Sequence, residues 1–274
     1  MPELPEVETT IRGLRKFIVG QPIKEAHSET PQLFESRKLM QQIGSLLSGD
    51  TITSLSRRGK YLLFHLASGR VMVMHMKMAG RFLATKKDHT ARHARFQVDF
   101  MGGVKMVYYD PRKFGRIWLM PESQLDLFFT KRKFAHDALS PLCTEAYLKT
   151  QLFRGRAVKT LLLDQTCVAG IGNIYADEIL WAAQVHPLRK GSSLSTSEVR
   201  RVFHAMGAIL KEAIKAGGTS LRDYARPDGG LGSFQSRRRV YQRTGEPCPR
   251  CKTKITRLVV SQRGTHVCPT CQRP

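Results

Sequence analysis

The 274-residue chain lacks features that mark several common protein classes. No uninterrupted apolar run approaches the roughly 18 residues that a membrane-spanning helix needs, so a membrane protein is not expected. The opening residues, MPELPEVETT, contain no basic stretch followed by an apolar one, which argues against secretion. Apolar residues still make up 41% of the chain, near the globular average, and this excludes wholesale disorder. The length suggests two domains, or one domain with a small appendage.

Acidic residues are scarce. The chain has 22 Asp and Glu against 45 Lys and Arg, a formal charge of +23, and residues 131–274 hold 25 of the basic side chains but 10 of the acidic ones. A soluble protein this basic is expected to bind a polyanion, usually nucleic acid. An anionic membrane surface is the weaker alternative, because no basic helix with a broad apolar face is present.

The first eight residues reverse this charge. They contain three acids, Glu3, Glu6 and Glu8, and no basic residue. A protein that only coats DNA gains nothing from such a cluster, so the cluster indicates some other chemistry.

Cysteine is also scarce, and four of the six cysteines lie together near the C-terminus. Two Cys-x-x-Cys pairs, separated by sixteen residues, supply the four thiolates of a structural Zn²⁺ site: Cys248, Cys251, Cys268 and Cys271. Two disulfides are the alternative, which an intracellular protein does not normally keep. The intervening residues predict strands at 254–260 and 265–268 joined by a turn at 262–264. Cys143 and Cys167 are expected in the core.

The pattern of apolar residues divides the chain. Val7, Ile11, Leu14 and Ile18 recur at helical spacing, and Gly20 ends that helix. From 22 to 120, short β-rich runs alternate with turns, which predicts an antiparallel sandwich or barrel. Beyond 122 the pattern predicts helices near 144–153, 157–168, 174–183, 195–216 and 219–224. The glycine-rich segment from Gly217 to Arg239 then has the composition of a functional lid.

Gly170-Ile171-Gly172-Asn173 is not a dinucleotide-binding motif. Tyr175 stands where the last glycine of that motif would fall, and a helix precedes it instead of a strand. What remains is a tight glycine turn between two helices. Such a turn exposes helix N–H groups that suit a phosphate, although an ordinary helical hairpin explains it too.

The N-terminus permits nucleophilic chemistry. Removal of Met1 would leave Pro2 as a secondary amine, and α-amino groups have a pKa of about 7.7–8.0. An unprotonated amine can attack a sugar carbon and form an iminium, with Glu3 and Glu6 beside it to move protons. The alternative is that these acids only complement the helix dipole.

Five separated motifs resemble those of bacterial formamidopyrimidine-DNA glycosylases, a family of 8-oxoguanine repair enzymes. They are PELPE at 2–6, RRGKY at 57–61, DPRKFG at 110–115, GIGNIY at 170–175 and the four-cysteine finger. The resemblance runs from residue 2 to 272. The related endonuclease VIII-type enzymes typically begin Pro-Glu-Gly-Pro, so Leu4 and the Arg-Lys-Phe at 112–114 favour the purine-lesion branch.

The resemblance implies an α+β multidomain fold. Residues 1–130 would form an N-terminal antiparallel β-sandwich with flanking helices, which carries catalysis. Residues 131–235 would form a helix–two-turn–helix DNA-binding domain with a lesion-capping loop, and 236–274 the β-hairpin zinc finger.

The resemblance also implies roles for single residues. Pro2 would be the nucleophile on C1′ of the damaged nucleotide, Glu3 the acid, Lys60 a proton donor or phosphate contact in β-elimination, and Arg263 the phosphate-binding residue of δ-elimination. A flipped base leaves a hole in the stack, which the family fills with residues that correspond to Met78, Arg112 and Phe114. The remaining DNA contacts would be His93, Arg154, Lys159 and Asn173.

Two segments depart from the family pattern. Residues 135–139 read Ala-His-Asp-Ala-Leu where Gly-Pro-Glu-Pro-Leu is common, so the interdomain hinge is expected to differ. A His-Asp-His triplet is replaced by His93-Ala94-Arg95, which puts the DNA contact of the second histidine in doubt.

We therefore expect a bifunctional DNA glycosylase and AP lyase that removes oxidised purines from double-stranded DNA, as a zinc-containing monomer in the bacterial cytoplasm at the nucleoid, with no membrane partner. Two alternatives remain: the same chemistry on oxidised pyrimidines, and a non-catalytic zinc-finger DNA-binding protein.

Overall fold

The computed structural model describes residues 1–87, 92–221 and 224–274. The chain forms two compact units. The first comprises Met1–Lys131 with Ala216–Ser233, and the second comprises Arg132–Lys215 with Phe234–Pro274. Part of the expected capping loop is thus grouped with the N-terminal residues, and its positions 222 and 223 lie outside the described residues. The division into three domains stays a prediction.

The described residues of the first unit form two four-stranded antiparallel sheets and flanking helices. One sheet has the order β1-β6-β7-β5 and the other β2-β3-β4-β8. The strands are β1 Ile23–His27, β2 Ile52–Arg58, β3 Tyr61–Leu66, β4 Arg70–His75, β5 Arg81–Thr85, β6 Ala94–Phe100, β7 Lys105–Tyr109 and β8 Arg116–Pro121. The helices are α1 Leu4–Ile18, α2 Arg37–Leu47 and α3 Leu125–Lys131.

The inner faces of the two sheets share one apolar core. Phe64 on β3 lies 6.0 Å from Phe82 on β5, ring centroid to ring centroid, and joins the sheets. Met72 and Met74 on β4 belong to the same buried cluster. The alternation of apolar residues along these strands therefore predicted correctly which side chains face the core between the sheets. The antiparallel sandwich expected from the sequence is confirmed.

The second unit contains four helices and a two-stranded hairpin. They are α4 Glu145–Leu152, α5 Val158–Leu163, α6 Asn173–Ala183, α7 Thr196–Lys215, β9 Thr256–Val260 and β10 Arg263–Val267. The helix expected over 157–168 is shorter, because the Asp164 side chain accepts the N–H of Thr166 and forms a turn. Among the described helices, none is long and apolar enough to cross a membrane.

The helix expected near 219–224 is absent from the described part of that range. Gly217 and Gly218 follow α7 with φ of 74° and 81°, a left-handed conformation that ends the helix. Thr219 then donates its N–H to a side chain of the N-terminal helix instead of continuing α7.

The hairpin turn lies one residue earlier than predicted. Ser261 and Gln262 form it, with φ of 47° and 60°, as a two-residue hairpin connection requires. Arg263 is therefore the first residue of β10, where it pairs with Val260.

Candidate active site and DNA-binding surfaces

Residues 2 and 3 are buried at the start of α1, whereas Met1 is exposed. Pro2 is buried, and Glu3, which is 2% exposed, precedes the first helical residue. The backbone N–H of Glu3 donates to Oε2 of Glu6 at 2.8 Å and closes the first turn. The positive end of the helix dipole favours a carboxylate at this point. One acid thus lies next to Pro2 in the chain, shielded from bulk water.

Glu6 joins the N-terminal helix to the segment that follows α7. Its Oε1 accepts the N–H of Thr219 at 2.8 Å, and its backbone carbonyl accepts the hydroxyl of Tyr224 at 3.2 Å. A side chain on Gly218 would press against the Glu6 carboxylate, so glycine fits there. Burial and the nearby Glu6 charge raise the pKa of Tyr224, which keeps its hydroxyl protonated. Both Glu6 oxygens thus accept backbone N–H groups, as a positioning residue would.

Glu8 has a third environment. Its two oxygens accept hydrogen bonds from Arg12 at 2.8 Å and from Arg57 at 3.2 Å. Burial opposes its charge, but these two arginines outweigh that effect and lower the pKa of Glu8. The three acids of the N-terminus therefore divide: Glu3 adjoins Pro2, Glu6 positions a distant segment, and Glu8 neutralises arginines.

Lys60 lies in the tight turn between β2 and β3. Gly59 has a φ of 59°, which the turn requires, and Lys60 is 5% exposed. Burial, together with the positive charges of Lys77 and Lys60, lowers the pKa of His75 to about 3. His75 is accordingly neutral, and its Nδ1 accepts the Lys77 N–H at 2.9 Å. The Lys60 amine is thus enclosed by the fold, unlike most lysines.

Two turns of the first unit carry the residues expected to fill the DNA stack. Met78 is half-buried in the turn after β4, whereas Met72, Met74 and Met76 are fully buried. Phe114, in the loop after β7, is 46% exposed. The guanidinium of Arg112 lies 4.8 Å from the centroid of the Phe114 ring.

Such a stacked pair presents a flat, positively charged surface to solvent, which is the chemistry that nucleobases and phosphates bind.

Arg95, the departure from the expected histidine, has a defined partner. Its Nη2 lies 3.2 Å from Nδ1 of His93, and its Nε donates to the Asp110 carbonyl at 3.0 Å. His93 has a φ of 80°, and its carbonyl accepts the Asp110 N–H at 3.0 Å. Arg95 thus orients the His93 ring through its Nδ1 atom, a role that the position of Arg95 in the sequence did not indicate.

Hydrogen bonds join the two ends of the segment that follows α7. The N–H of Ser233 donates to the Ala216 carbonyl at 2.8 Å, and the Gly232 N–H donates to Oγ of Ser220 at 2.9 Å. The Ala84 N–H donates to the Pro227 carbonyl at 2.9 Å, which fixes the segment to the edge strand β5. Leu231 of this segment is 67% exposed.

In the second unit, Lys159 is fully buried. Its Nζ lies 2.6 Å from Oδ1 of Asp177 and donates to Oγ1 of Thr265 at 2.8 Å. The other Asp177 oxygen accepts the N–H of His266 at 2.9 Å and contacts its Nδ1 at 3.0 Å. The amine expected at a phosphate therefore holds β10 against α6, and its role as a phosphate contact stays a prediction.

The glycine turn before α6 is built by a glutamine. The side chain of Gln165 accepts the Gly170 N–H at 2.9 Å and donates to the Ile171 carbonyl at 3.0 Å. Asn173 begins α6 and donates from Nδ2 to the Gly264 carbonyl at 2.9 Å. The first turn of α6 is thus fastened to the residue that follows Arg263.

The two remaining arginines are placed differently. Arg263 is exposed at the start of β10, where Lys159 and Asn173 hold the next residue. Arg154 is half-buried after α4 and donates to Oε1 of Gln151 at 2.7 Å, beside Phe153, which is 72% exposed.

The four cysteines of the finger form one cluster. Their sulfur atoms all lie within 4.8 Å of one another, with 3.3 Å between Cys251 and Cys268 and 4.0 Å between Cys248 and Cys271. Tetrahedral Zn²⁺ with bonds of about 2.3 Å places its sulfur ligands about 3.8 Å apart, so the donor set and spacing fit zinc. The indole Nε1 of Trp181 donates to the Cys248 sulfur at 3.3 Å, which links the cluster to α6.

Family models match three consecutive parts of the chain. The formamidopyrimidine-DNA glycosylase N-terminal domain matches residues 1–117, its H2TH domain matches 134–225, and the zinc finger found in FPG and IleRS matches 245–274. The zinc-finger match and the cysteine cluster together establish one structural zinc.

Relatives and solved structures match over the whole length. The formamidopyrimidine-DNA glycosylase of Enterococcus faecalis is 40% identical, with 100% of this chain and 98% of the relative covered, and that of Streptococcus mutans is 41% identical with both chains fully covered. A complex of Lactococcus lactis Fpg with abasic-site DNA has a TM-score of 0.92 at 36% identity, covering 99% of this chain and 100% of that one. The Thermus thermophilus MutM (Fpg) structure has a TM-score of 0.88 at 38% identity, covering 99% and 98%. The chain belongs to the formamidopyrimidine-DNA glycosylase family.

Proposed function

We propose that the protein is a bifunctional DNA glycosylase and AP lyase of base excision repair, acting on oxidised purines such as 8-oxoguanine and formamidopyrimidines in duplex DNA. The observation that carries the proposal is the buried Pro2–Glu3 pair at the start of α1, in a chain that matches the family over its whole length. The solved Lactococcus lactis complexes hold DNA with a Fapy-dG or an abasic site, which supports DNA as the partner here.

The chemistry begins with the amine that loss of Met1 exposes. The Pro2 nitrogen bonds to C1′ of the damaged nucleotide as the glycosidic bond breaks. Glu3, held beside Pro2, is the acid that protonates the departing base or the sugar oxygen O4′, and the proton that the Pro2 amine gives up goes to the other of these two groups. The sugar ring opens, and an iminium results. Loss of a C2′ proton then breaks the C3′–O bond, and a second elimination breaks the C5′–O bond.

Other residues of both units serve the eliminations and the DNA. The enclosed Lys60 amine moves protons or holds a phosphate during β-elimination, and Arg263 binds phosphate for δ-elimination. Met78, Arg112 and Phe114 fill the space left by the flipped base, and the segment from 217 to 239 covers that base. The remaining phosphate contacts are His93, Arg154, Lys159 and Asn173.

The zinc takes no part in catalysis. Its four positions are taken by cysteine, so it supplies rigidity to the hairpin that begins with Arg263 and exposes no open coordination site.

Borohydride trapping tests the mechanism. Reduction in the presence of duplex DNA with 8-oxoguanine opposite cytosine should join protein and DNA covalently, and the same protein with a blocked N-terminal amine should not be joined. Glu3→Gln should lose base excision while still being trapped on DNA with a preformed abasic site. An unchanged yield with the blocked amine would contradict the role of Pro2.

Substrate range decides between the proposal and its alternatives. Incision of 8-oxoguanine duplexes in preference to thymine glycol duplexes is expected, and the reverse preference would indicate an oxidised-pyrimidine enzyme. Tight, salt-sensitive binding with no incision would indicate a non-catalytic DNA-binding protein.

We further propose that the protein is a monomer in the bacterial cytoplasm, bound to the nucleoid. The relatives are bacterial, and a four-thiolate site is favoured where thiols stay reduced. Light scattering of the purified protein should give the mass of one chain, and a dimer mass would contradict this.

A further inference from the structure

We infer that Tyr108 and Asp110 are a positioning pair that fixes the stack-filling side chains Met78, Arg112 and Phe114 relative to one another. The inference deepens the function proposed above and rests on it. Neither residue is exposed, so neither touches DNA; they act through the two turns that carry the other three.

Asp110 shapes the loop after β7. It is fully buried, directly beyond the last residue of the strand. Its Oδ1 accepts the Arg112 N–H at 3.0 Å, and its Oδ2 accepts the Gly115 N–H at 2.7 Å. One carboxylate therefore fastens both ends of the turn that presents Arg112 and Phe114. Lys113, between them, has a φ of 55°, a conformation that an unsupported loop would rarely keep.

Tyr108 connects that loop to the other turn. Its hydroxyl lies 3.3 Å from the Met76 carbonyl and 3.3 Å from Oδ2 of Asp110, so its one hydrogen can be donated to either acceptor. Met76 precedes Met78 in the turn after β4. Burial and the Asp110 charge raise the pKa of Tyr108, so the hydroxyl remains a donor at neutral pH.

Two glycines leave the space that this hydroxyl occupies. A Cβ on Gly80 or on Gly115 would collide with the Tyr108 oxygen. Gly80 closes the turn of Met78, since its N–H donates to the Met76 carbonyl at 3.2 Å. Gly115 closes the loop of Phe114. The two turns therefore meet at one buried oxygen. Gly115 leaves space for this oxygen, and at Gly80 a Cβ would collide both with it and with the Met76 carbonyl oxygen.

We expect this contact to order the stack-filling side chains before the base leaves. A side chain that replaces a flipped base must already be in place when the base leaves, because ordering it then would cost entropy. Phe114 is too exposed to be held by its own packing. The buried pair fixes the backbone beneath it instead.

The matched variants are Tyr108→Phe and Asp110→Asn. The first keeps the ring and removes the donated hydrogen; loss of such a bond should slow single-turnover excision of 8-oxoguanine by about three- to tenfold. The second sets an amide group against the Arg112 or Gly115 N–H and should slow excision by roughly ten- to a hundredfold. Stopped-flow fluorescence of 2-aminopurine beside the lesion should lose amplitude in the same order. Borohydride trapping on a single-stranded abasic oligonucleotide, which has no stack to fill, should keep its wild-type yield.

Tyr147→Phe, at a half-buried tyrosine, is the control for loss of a hydrogen-bonded phenol hydroxyl. Its hydroxyl donates to the Cys167 carbonyl at 3.2 Å in the second unit, and its loss should leave the 2-aminopurine signal unchanged. Wild-type excision and fluorescence in both test variants would overturn the inference. Equal losses in the single-stranded trapping assay would also overturn it, because they would indicate general damage. Failure of the wild-type protein to trap DNA would instead contradict the proposed function.

Discussion

In the first unit, buried carboxylates hold the functional turns by accepting backbone N–H groups, whereas the hairpin of the second unit is held by a metal and an ion pair in addition to one such contact, the His266 N–H on Asp177. Glu6 and Asp110 fasten turns to a sandwich that already has a large apolar core. The finger has a small buried cluster in which Cys248 and Cys268 accompany Trp181, Val240 and Ile255.

A segment that buries so little apolar surface needs stronger single interactions to stay folded. Each unit presents side chains to DNA, and the kind of interaction that holds those side chains depends on how much apolar core the surrounding segment has.

The largest effect is expected from loss of zinc. Structural zinc sites in peptides contribute apparent binding energies of about 10–16 kcal/mol, so chelation or Cys248→Ser should unfold the hairpin and weaken DNA binding by at least about tenfold. The change in near-ultraviolet signal should come from Trp181, while Trp118 in the first unit stays native. Cys143→Ser, away from the cluster, is the control. Undiminished DNA affinity would show that the finger does not contribute to binding.

The buried ion pair should rank second. Asp177→Ala leaves the Lys159 ammonium buried without its partner and should cost about 3–5 kcal/mol of the free energy of unfolding of the second unit. Lys159→Met combined with Asp177→Leu removes both charges and should cost less, as measured by urea unfolding. Equal losses in the single and double variants would show that the charges are not coupled.

Removing the Glu6 carboxylate should have a smaller effect. Glu6→Gln replaces one acceptor by a donor that faces a backbone N–H, at a cost of about 1–3 kcal/mol. The amide hydrogen of Thr219 should then exchange faster with deuterium. Glu8→Gln, which loses only contacts to arginines, is the matched control and should leave that amide protected. Unchanged exchange in Glu6→Gln would show that other contacts hold the segment.

His75 should make the first unit sensitive to acid. Its pKa is about 3 in the fold and about 6.5 when unfolded, so the unfolded chain alone takes up the proton as the pH falls through this interval. Stability is therefore full above pH 6.5 and lost on acidification, by at most about 1.4 kcal/mol per pH unit. Unfolding followed by Trp118, in a Trp181→Phe background between pH 6.5 and 5, should depend less on pH after His75→Gln. An identical slope would contradict burial of a neutral imidazole.

The smallest effect is expected at Arg95. Arg95→Ala removes a hydrogen bond to the His93 ring and should weaken DNA binding by about two- to tenfold. Arg95→His restores the residue that the family usually has and should recover part of the loss. Titration of a fluorescent lesion duplex at fixed salt measures both, and wild-type affinity in Arg95→Ala would show that His93 needs no support.

Local patterns predicted much of this molecule. The zinc ligands follow from two short spacings, and the sandwich follows from alternation along single strands, so neither depends on distant residues. The role of Glu6 was different. Its partner Thr219 is 213 residues away, and the sequence predicted only a helix near 219–224 and a glycine-rich lid there, with no sign of a contact to Glu6.

The sequence analysis missed two other features, the turn held by Asp110 and the burial of Lys159, for different physical reasons. Asp110, before a proline and five residues before a glycine, has the composition of a side chain that accepts N–H groups in its own turn, a signal that sequence reading can use. Burial of Lys159 gave no such signal. A lysine near the start of a short helix usually reaches solvent, and Asp177 opposite it is brought there by tertiary packing.

The space beneath Tyr108 also governs which sequences can descend from this one. At Gly115 the atoms nearest to an added methyl group all belong to Tyr108, so this glycine can change to alanine only after position 108 has become smaller, whereas at Gly80 the methyl group would also collide with the Met76 carbonyl oxygen. A smaller residue at 108 would leave an unfilled volume until position 115 gained a side chain. Positions 108 and 115 are therefore coupled in evolution, and the order in which they are substituted decides whether an intermediate survives.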